Sequence, residues 1–409
     1  MSLSAKSRRR SRASAAIGQV VLFTTLATVL AFARQSDRQE RFREMSANAE
    51  QRGLAEPFRG VTANDELVYG LFPIESSGVS TEPVVSAASA FLDALTDEQR
   101  SATTFPVDDP EWRKWMNQHF YVRQGVGFDE MNQAQRQAAF ALLDASLSAK
   151  GLGMTRDIMR LNHTLAELND DNFDEYGEGL YWITVMGDPS SSEPWGWQLD
   201  GHHLVINYFV LGDQVVMSPV FAGSEPVSAD SGRYAGTAVL QEEQDQGLAL
   251  LRSLNDAQKH MAIVEVSKDG NNNVGEAFSD NIDLQYVGIP GALMSSEQRA
   301  RLEHLIALYV GNMRDGHAAV RMDEVQAHLD DTYFAWIGGI EDDSVFYYRI
   351  FSPVILIEFD HQSPANLRHL YPPRPNRQHI HTVVRTPNGN DYGKDLLRQH
   401  YARHPHAAD

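Results

Sequence analysis

The run VILIEFD at residues 354–360, followed by QHIHTVVR at 378–385, decides the fold class of this chain. Both runs are rich in β-branched and aromatic residues, which favour β-strands. Two earlier runs, YFAWIGGI at 333–340 and SVFYYRIFS at 344–352, have the same character and are separated by turn residues. The four runs predict an antiparallel meander, and NDYGKDLLRQHYARH at 390–404 predicts a short closing helix.

A second group of β-forming residues lies in the middle of the chain. GLYWITVMG at 179–187 predicts a strand, and WGWQLDGHHLVINYFV at 195–210 leads through Gly212-Asp213 into QVVMSPVF at 214–221. The last two runs predict a β-hairpin. Amphipathic helical segments flank both strand groups, such as 136–151, which we expect to end at Gly151, and 295–313. The sequence therefore predicts an α+β fold: a mainly antiparallel sheet, built from a central hairpin and a C-terminal meander, packed with several amphipathic helices.

Four short segments share a pattern that marks the start of a helix. In each, an apolar residue precedes Thr, Asn or Ser, and a Gln follows three residues later. In such a capping box the Gln side chain accepts a hydrogen bond from the backbone N–H of the cap. The predicted pairs are Thr96/Gln99, Asn132/Gln135, Asn255/Gln258 and Ser295/Gln298. The recurrence has two interpretations: caps simply recur, or the chain consists of two related halves.

Charge and composition exclude several function classes. The 409-residue chain has a formal net charge of −20 at pH 7 and no cysteine. The acidity argues against a nucleic-acid partner, because binding to phosphates needs clustered Lys and Arg. Without cysteine there is no disulfide, no thiolate zinc site and no cysteine nucleophile. The sequence also lacks the Gly-x-Ser-x-Gly, P-loop, Rossmann and His-Glu-x-x-His motifs.

Residues 1–33 have the character of a targeting segment. A basic stretch, KSRRRSR at 6–12, precedes an apolar run that ends in the small-x-small sequence Ala31-Phe32-Ala33. This order predicts a cleaved signal peptide, and the alternative is an N-terminal membrane anchor. Residues 34–80 predict a charged linker and residues 81–409 a single α+β domain. We expect an exported protein, periplasmic or secreted, or one tethered to the membrane.

Alternation along two C-terminal strands brings polar side chains together. Glu358 and Asp360 share one face of VILIEFD, and His379, His381 and Arg385 share one face of HIHTVVR. Imidazoles two residues apart on a strand are close enough to bind one ion, although a rim pair bonded to backbone is the alternative interpretation. The mixture suits a divalent metal ion, zinc foremost, with iron or manganese as alternatives. Glu358 is a candidate ligand, and Glu358 and Asp360 are candidate general bases. Arg385 is a candidate catalytic residue that would hold an anionic substrate group or the developing oxyanion.

The stretch Asp200-Gly201-His202-His203 supplies a second cluster. Adjacent side chains on a strand point to opposite faces, so we expect one of His202 and His203 to bind the metal. Asp200, a candidate catalytic residue, would fix an imidazole tautomer. For the neighbouring Trp195 and Trp197, the alternative interpretation is packing in the core. For Asp391, the alternative interpretation is an N-cap of the last helix. The candidate substrate-binding residues are Trp195, Trp197, Tyr348, Arg385, Asp391 and His400.

Six motifs occur in a fixed order: WGWQLDGHHL, SPVFAGSEPV, YYRI followed by SP, LIEFD, HIHTVVR and DYGKDLLRQHY. In order and spacing they resemble the bacterial domain-of-unknown-function family 3500, over about residues 85–405. Members of that family often have an export signal. The family pattern falls on Gly201 to Leu204, Tyr347 to Ile350, Ile357 to Asp360, His379/His381 and Asp391/Gly393. The resemblance implies where the site lies, and the family's name assigns no reaction.

Three main classes of function remain open. The first is a metal-dependent hydrolase acting on a small-molecule or polymer substrate outside the cytoplasm, with the ion lowering the pKa of a bound water. The second is a non-haem metal redox enzyme, because two His and one carboxylate also form the facial triad of iron oxygenases. The third is a non-catalytic periplasmic ligand-binding protein. A metal-free acid–base enzyme using His and Asp or Glu is a further alternative.

Overall fold

The computed structural model describes residues 37–404, and this part of the chain has an α+β fold. Its strands are β1 (Thr62–Ala63), β2 (Thr104–Phe105), β3 (Val126–Gly127), β4 (Tyr181–Met186), β5 (Trp195–Gly201), β6 (Leu204–Leu211), β7 (Gln214–Ser224), β8 (Ile263–Glu265), β9 (Asp283–Leu284), β10 (Ile289–Pro290), β11 (Tyr333–Gly338), β12 (Phe346–Phe351), β13 (Leu356–His361) and β14 (Ile380–Arg385).

The same part of the chain contains α-helices and short 3₁₀ helices. The α-helices are α1 (37–53), α2 (Glu82–Ala94), α3 (Asp97–Thr103), α4 (Gln133–Ser146), α5 (Ala149–Leu168), α6 (Phe173–Tyr176), α7 (Gln241–Ser253), α8 (Asp256–Ala262), α9 (Ser296–Val310), α10 (Asp315–Ala327) and α11 (Lys394–Arg403). The 3₁₀ helices are Pro110–Arg113, Phe128–Glu130, Gly291–Leu293, Leu329–Asp331 and Asp391–Gly393.

One large sheet contains most of the strands. Their order is β10-β11-β12-β13-β14-β7-β6-β5-β4-β2, with β8 beside β11 and β3 beside β4. The central pairs are antiparallel, whereas β2 and β8 run parallel to their neighbours. The predicted meander is β11–β14, and the predicted hairpin is β6–β7 with its turn at Gly212-Asp213. The predicted fold class is confirmed, and the two strand groups join where β14 pairs with β7.

The sheet consists of two halves with the same order of elements. Helices α2–α5 precede strands β4–β7, and helices α7–α10 precede strands β11–β14. Each half also has a short parallel strand, β2 or β8, and a short antiparallel strand, β3 or β10, at its outer edge. The last strands of the two halves, β7 and β14, pair at the centre. This arrangement supports the interpretation of two related halves.

All four predicted capping boxes form, at the starts of α3, α4, α8 and α9. Their glutamines also contact each other in pairs. Gln135 Nε2 donates to Gln99 Oε1 over 2.7 Å, and Gln258 and Gln298 exchange two hydrogen bonds of 2.9 Å each. Each half therefore uses its two caps both to begin helices and to join them.

The predicted helix 136–151 is wrong at its end. The structure ends α4 at Ser146, and Ser148 then caps α5 by accepting a hydrogen bond from Gly151 N. The backbone is therefore extended at Leu147 and Ser148, where the sequence pattern predicts one continuous helix. Ser148 is a strong N-cap residue, which accounts for the earlier start of α5.

The sheet has a hydrophobic core on each face. One core packs helices α2, α4, α5, α7 and α9 against the sheet. The other lies on the opposite face, where α11 and loop segments pack against the sheet through Val205, Phe209, Phe221 and Val383 among others. His381 lies two residues before Val383 on β14 and therefore shares its face, so the paired histidines of β14 lie on the second face.

The predicted targeting segment, residues 1–33, lies outside the described residues. Residues 37–51, together with 120–122, form a compact unit of their own, and residues 52–119 and 123–404 form the other. The predicted linker 34–80 contributes α1 to the first unit and β1, which pairs with β9, to the second. Within residues 37–404 no helix is both long and apolar enough to cross a membrane.

Candidate metal centre

Three imidazoles converge on the second face of the sheet, where β14 begins and β7 ends. His379 and His381 lie at alternate positions at the start of β14, as predicted. His381 is opposite Gly223 of β7, and Gly223 N donates to the carbonyl of His203 over 2.8 Å. A Cβ on Gly223 would lie 2.6 Å from the Ile380 carbonyl oxygen and 3.1 Å from the ring of His381. Glycine at this position therefore lets the strands and the imidazole approach each other.

His203 reaches the centre from a turn, which corrects the prediction that His202 and His203 lie on a strand. Gly201 pairs with Leu204, so the two histidines form the two-residue turn between β5 and β6. His203 has a φ of 63°, a left-handed conformation that His adopts more readily than most residues. The turn directs the two rings to different partners, and the ring of His203 joins those of His379 and His381.

The Nε2 atoms of the three residues face one another. His203 Nε2 lies 3.2 Å from His379 Nε2, and His379 Nε2 lies 2.9 Å from His381 Nε2. The three ring nitrogens all lie within 4.8 Å of one another, and each residue is at most 5% exposed. Among the described residues 37–404, this is the group of His, Asp and Glu side chains whose atoms meet the spacing of a metal site.

The other ring nitrogens of the β14 pair have acceptors that fix the tautomers. His379 Nδ1 lies 2.8 Å from the Ser363 carbonyl oxygen, and His381 Nδ1 lies 2.6 Å from Glu276 Oε1. A carbonyl oxygen only accepts, so Nδ1 of His379 donates and its Nε2 presents a lone pair. An ionised Glu276 likewise only accepts, so Nδ1 of His381 donates to it and Nε2 of His381 presents a lone pair. Partners of this kind orient the imidazoles of metal sites.

Burial keeps all three imidazoles in the form that binds metals. Loss of hydration lowers the pKa of His379, and it lowers those of His203 and His381 well below the usual value. The ring of His379 also disfavours a positive charge on His203 and His381, and the ring of His381 disfavours one on His203. Neutral imidazole is the metal-binding form of histidine. The cluster therefore presents the Nε2 lone pairs of His379 and His381 close to Nε2 of His203.

Glu358, a predicted ligand and base, lies elsewhere. Its carboxylate accepts hydrogen bonds from the backbone N–H groups of Val274 and Gly275 over 2.7–3.1 Å and from Tyr347 Oη over 2.6 Å. The side chain is completely buried, and burial raises its pKa. These contacts occupy the acceptor positions of the carboxylate. Glu358 thus fixes a loop to the sheet and has no contact with the three imidazoles.

Asp360 is bound in the same way. One oxygen accepts from Asn272 N over 2.7 Å and from Gln362 Nε2 over 2.6 Å, while the other forms a buried ion pair of 2.7 Å with Lys268 Nζ. Burial raises the pKa of Asp360 to about 6, although Lys268 opposes this effect. Asp360 is opposite His381 in the strand register, yet its carboxylate also holds the loop.

The loop at residues 271–276 places Glu276 beside His381. Glu358 and Asp360 bind its backbone N–H groups, and Arg385 Nε donates to its Gly275 carbonyl over 2.8 Å. Burial raises the pKa of Glu276 to about 7, although 27% of its side chain remains exposed. The predicted acids and Arg385 therefore support the metal centre indirectly, through the residue that orients His381.

Arg385 and Asp391 form a buried ion cluster beside this loop. Arg385 Nη1 lies 2.9 Å from Asp391 and 3.1 Å from Asp280, and all three side chains are at most 2% exposed. The two carboxylates hold the pKa of Arg385 above its usual value despite the opposing effect of burial. His400 lies 3.7 Å from Glu193 at the other end of α11. The structure brings none of these described side chains into contact with the three imidazoles.

Asp200 and His202 belong to a neighbouring polar group. Asp200 forms an ion pair of 3.0 Å with Arg123, and burial raises its pKa to about 6. His202 Nδ1 lies 2.8 Å from Asn162 Oδ1. The ring of His202 stacks on that of His203 with 4.0 Å between centroids. His202 therefore supports the ligand cluster from behind, whereas Asp200 contacts neither imidazole nitrogen of His203.

The predicted aromatic contacts to substrate lie in the hydrophobic core. Trp195 and Trp197 are fully buried on the helix-covered face, where Trp197 stacks on Tyr208 with centroids 5.3 Å apart. Tyr348 is also fully buried there, and its hydroxyl is hydrogen-bonded to that of Tyr309. These three side chains pack helices onto the sheet, and the sheet separates them from the imidazoles.

Sequence reasoning missed two residues of the centre. Glu276 binds His381, and Asn117 Nδ2 donates to Glu276 Oε2 over 3.4 Å. The Asn117 carbonyl also accepts from His203 N over 3.2 Å. Both residues lie in irregular segments without periodicity. The triple asparagine and glycine of NNNVGE, at 271–276, were the available signal for a turn that brings backbone close to another element.

Comparison with known proteins gives one match. A family model described as "Protein of unknown function (DUF3500)" matches residues 77–394 of the chain. This match confirms the resemblance that the six motifs indicate. Neither the curated proteins nor the solved structures contain a match to the sequence.

Proposed function

The chain belongs to the family described as protein of unknown function (DUF3500), and we propose that it is a metal-dependent hydrolase with ligands His203, His379 and His381. The observation that supports this proposal is the convergence of three buried Nε2 atoms, with separations of 3.2 and 2.9 Å along the cluster. Nitrogens bound to one zinc ion at about 2.0–2.1 Å lie about 3.3 Å apart in tetrahedral coordination. The observed spacing is close to that value.

The donor set favours hydrolysis over redox chemistry. Catalytic zinc sites commonly have three protein ligands and leave one position open. The facial triad of non-haem iron needs a carboxylate, and the nearest candidate, Glu276, directs Oε1 to Nδ1 of His381. A zinc ion held by three imidazoles would act as a Lewis acid and lower the pKa of a bound water toward neutrality.

The surrounding residues would fix the ligands. Glu276 and the Ser363 carbonyl hold the rings of His381 and His379, so their Nε2 lone pairs point to a common position. The turn at His203 completes the set from the other half of the sheet. Burial excludes water from the back of the cluster, and Glu276 is its partly exposed side. We infer that substrate approaches from the side of Glu276.

Elemental analysis of protein purified without a His tag tests the metal. We expect about one zinc per chain, and its loss from the double variant His379→Ala/His381→Ala. His203→Asn is preferable to alanine at that position, because Asn tolerates the left-handed backbone. His369→Ala, which removes an exposed histidine outside the cluster, is the control and should retain zinc.

The elemental analysis also separates the alternatives. Stoichiometric iron without zinc would contradict the hydrolase and favour the redox enzyme. No stoichiometric metal would contradict both and favour a ligand-binding protein or a metal-free acid–base enzyme. Hydrolysis of model esters, amides and glycosides that stops on chelation and returns with zinc would support the hydrolase, and full activity in His379→Ala/His381→Ala would refute it.

We also propose that the protein acts outside the cytoplasm, from the basic and apolar character of residues 1–33. Cell fractionation with mass spectrometry of the N-terminus tests this. A chain beginning at Arg34 in the periplasm or medium would support a cleaved signal, and an intact chain in the membrane fraction would support an anchor. An intact chain in the cytoplasm would refute the proposal.

A further inference from the structure

A cleft of about 670 Å³ lies beside the sheet, outside the metal centre. Lys268, Ser344, Asn376 and Arg377 line its less exposed part, and Arg374 lies at its exposed side. Asp269 and Asp343 also line the cleft, and both are exposed. Lys268 is paired with the buried Asp360, and Asp245, Asp342 and Asp343 lie near enough to act on Arg377. Arg374 and Arg377 are therefore the cations of the cleft without an ion pair among the described residues.

The inner side chains have unused hydrogen-bond donors. Arg377 Nη1 donates to the Ser344 carbonyl over 3.0 Å, which uses one of its five N–H donors. Neither Arg374 nor Arg377 forms an ion pair within 4 Å in residues 37–404. Asn376 Oδ1 accepts from Gln378 N, whereas the buried Nδ2 of Asn376 has no partner in this part of the chain. That Nδ2 atom is enclosed by protein, so the donors that the cleft offers to an acceptor ligand are the remaining N–H groups of Arg374 and Arg377.

The sequence around the cleft has an unusual charge. Residues 361–390 contain four arginines and no Asp or Glu, in a chain with a net charge of −20. Arg385 lies in the buried ion cluster, and the remaining three, Arg368, Arg374 and Arg377, belong to the connection between β13 and β14. An acidic protein that gathers cations at one loop attracts anions to that loop.

Backbone hydrogen bonds connect the cleft to the metal centre. Asn376 N donates to the Gln362 carbonyl over 3.1 Å, and Gln362 N donates to the His379 carbonyl over 2.8 Å. On the other wall, Lys268 is bound to Asp360, which is opposite His381 in the strand register. Neighbouring strands lie about 4.8 Å apart, so the inner wall of the cleft is one strand away from the ligands.

From these observations we propose that the cleft binds an anionic group, a carboxylate, phosphate or sulfate, through Arg374 and Arg377. Where the proposed hydrolase activity holds, the anion is part of the substrate, and the class of substrate is an anionic small molecule or polymer. Each guanidinium group can donate two parallel hydrogen bonds to the oxygens of such an anion.

Titration calorimetry at low salt tests the cleft with inorganic phosphate, sulfate and succinate as separate probes. The chain used is His379→Ala/His381→Ala, so that no probe binds a metal ion. We expect saturable binding of at least one probe, and at least about tenfold weaker binding after Arg374→Gln/Arg377→Gln, because charge-assisted hydrogen bonds are strong. The preferred probe identifies the anion.

The matched control is Arg368→Gln/Arg233→Gln, which removes the same charge from exposed positions outside the cleft. This control should bind the probe within about twofold of the parent chain, with both double variants retaining the thermal midpoint of the parent. Equal weakening in the two variants would show a diffuse charge effect and overturn the proposal, as would absence of binding in the parent. Zinc in the unaltered chain, without anion binding in the titrated chain, would refute the cleft alone. Anion binding in the titrated chain, with no stoichiometric zinc in the unaltered chain, would refute the hydrolase alone.

Discussion

The substitution Glu276→Gln tests whether the loop residue controls the metal centre without touching the ion. Glu276 Oε1 lies 2.6 Å from Nδ1 of His381. This distance is shorter than the 2.8 Å between Nδ1 of His379 and the Ser363 carbonyl oxygen. Gln keeps the shape and an acceptor but removes the charge that increases the basicity of the ring. Loss of such partners weakens metal binding about 10–100-fold, or about 1.4–2.8 kcal/mol.

Competition with a chromophoric zinc chelator measures this change. Purified Glu276→Gln should contain less zinc after dialysis and show the weaker dissociation constant, while its far-UV circular dichroism stays unchanged. The control is Glu193→Gln, because Glu193 also lies near an imidazole, 3.7 Å from His400, but outside the centre. Zinc affinity within twofold of the unaltered chain in Glu276→Gln would refute the argument that Glu276 orients His381.

Three further predictions concern the support of the fold. Glu358→Gln places an amide against backbone N–H donors. We expect the free energy of unfolding, measured in urea, to fall by about 1–3 kcal/mol and zinc binding to weaken. An unchanged free energy of unfolding and zinc affinity would contradict the role of Glu358 in holding the loop. Gln298→Ala removes a buried capping contact, and calorimetry should show a loss of about 1–3 kcal/mol, unlike exposed Gln241→Ala. Burial lowers the pKa of Lys394 to about 8, so between about pH 8 and 10.5 the unfolded state binds more protons and stability rises with pH. Lys394→Met should lose that rise in urea titrations across this range, and an identical slope in both proteins would contradict the shifted pKa.

Local sequence patterns predicted the elements whose causes are local. The four capping boxes depend on residues three positions apart, and all four form. Composition and turn residues predict the β11–β14 meander. The pairing register of its strands is consistent with side chains that point alternately to the two faces of the sheet, both of which are buried. Alternation also placed His379 and His381 on one face, because that property belongs to a single strand.

The remaining parts of the centre depend on long-range contacts. The left-handed φ of His203 arises where two strands close a turn, and the expectation of a continuous strand assigned it the wrong backbone. Glu276 comes from a loop whose position is fixed by hydrogen bonds to β13 and by Arg385. Glu358 and Asp360 share a face, as predicted, but the sequence does not show that a loop occupies their oxygens. Residue type thus indicated which positions are polar. The hydrogen-bond partners that the fold brings to each side chain determine what that side chain binds.

The two related halves of the sheet give an independent argument about His203. Each half contains a turn at the same place in its strand order, between β5 and β6 and between β12 and β13. The second connection, at 352–355, is closed by the backbone, with Ser352 N donating to the Ile355 carbonyl over 2.9 Å, and it contains no histidine. The fold therefore does not need imidazoles at this turn. The left-handed backbone of the buried His203 costs free energy in one half alone, and the metal binding that we propose for His203 would account for this cost.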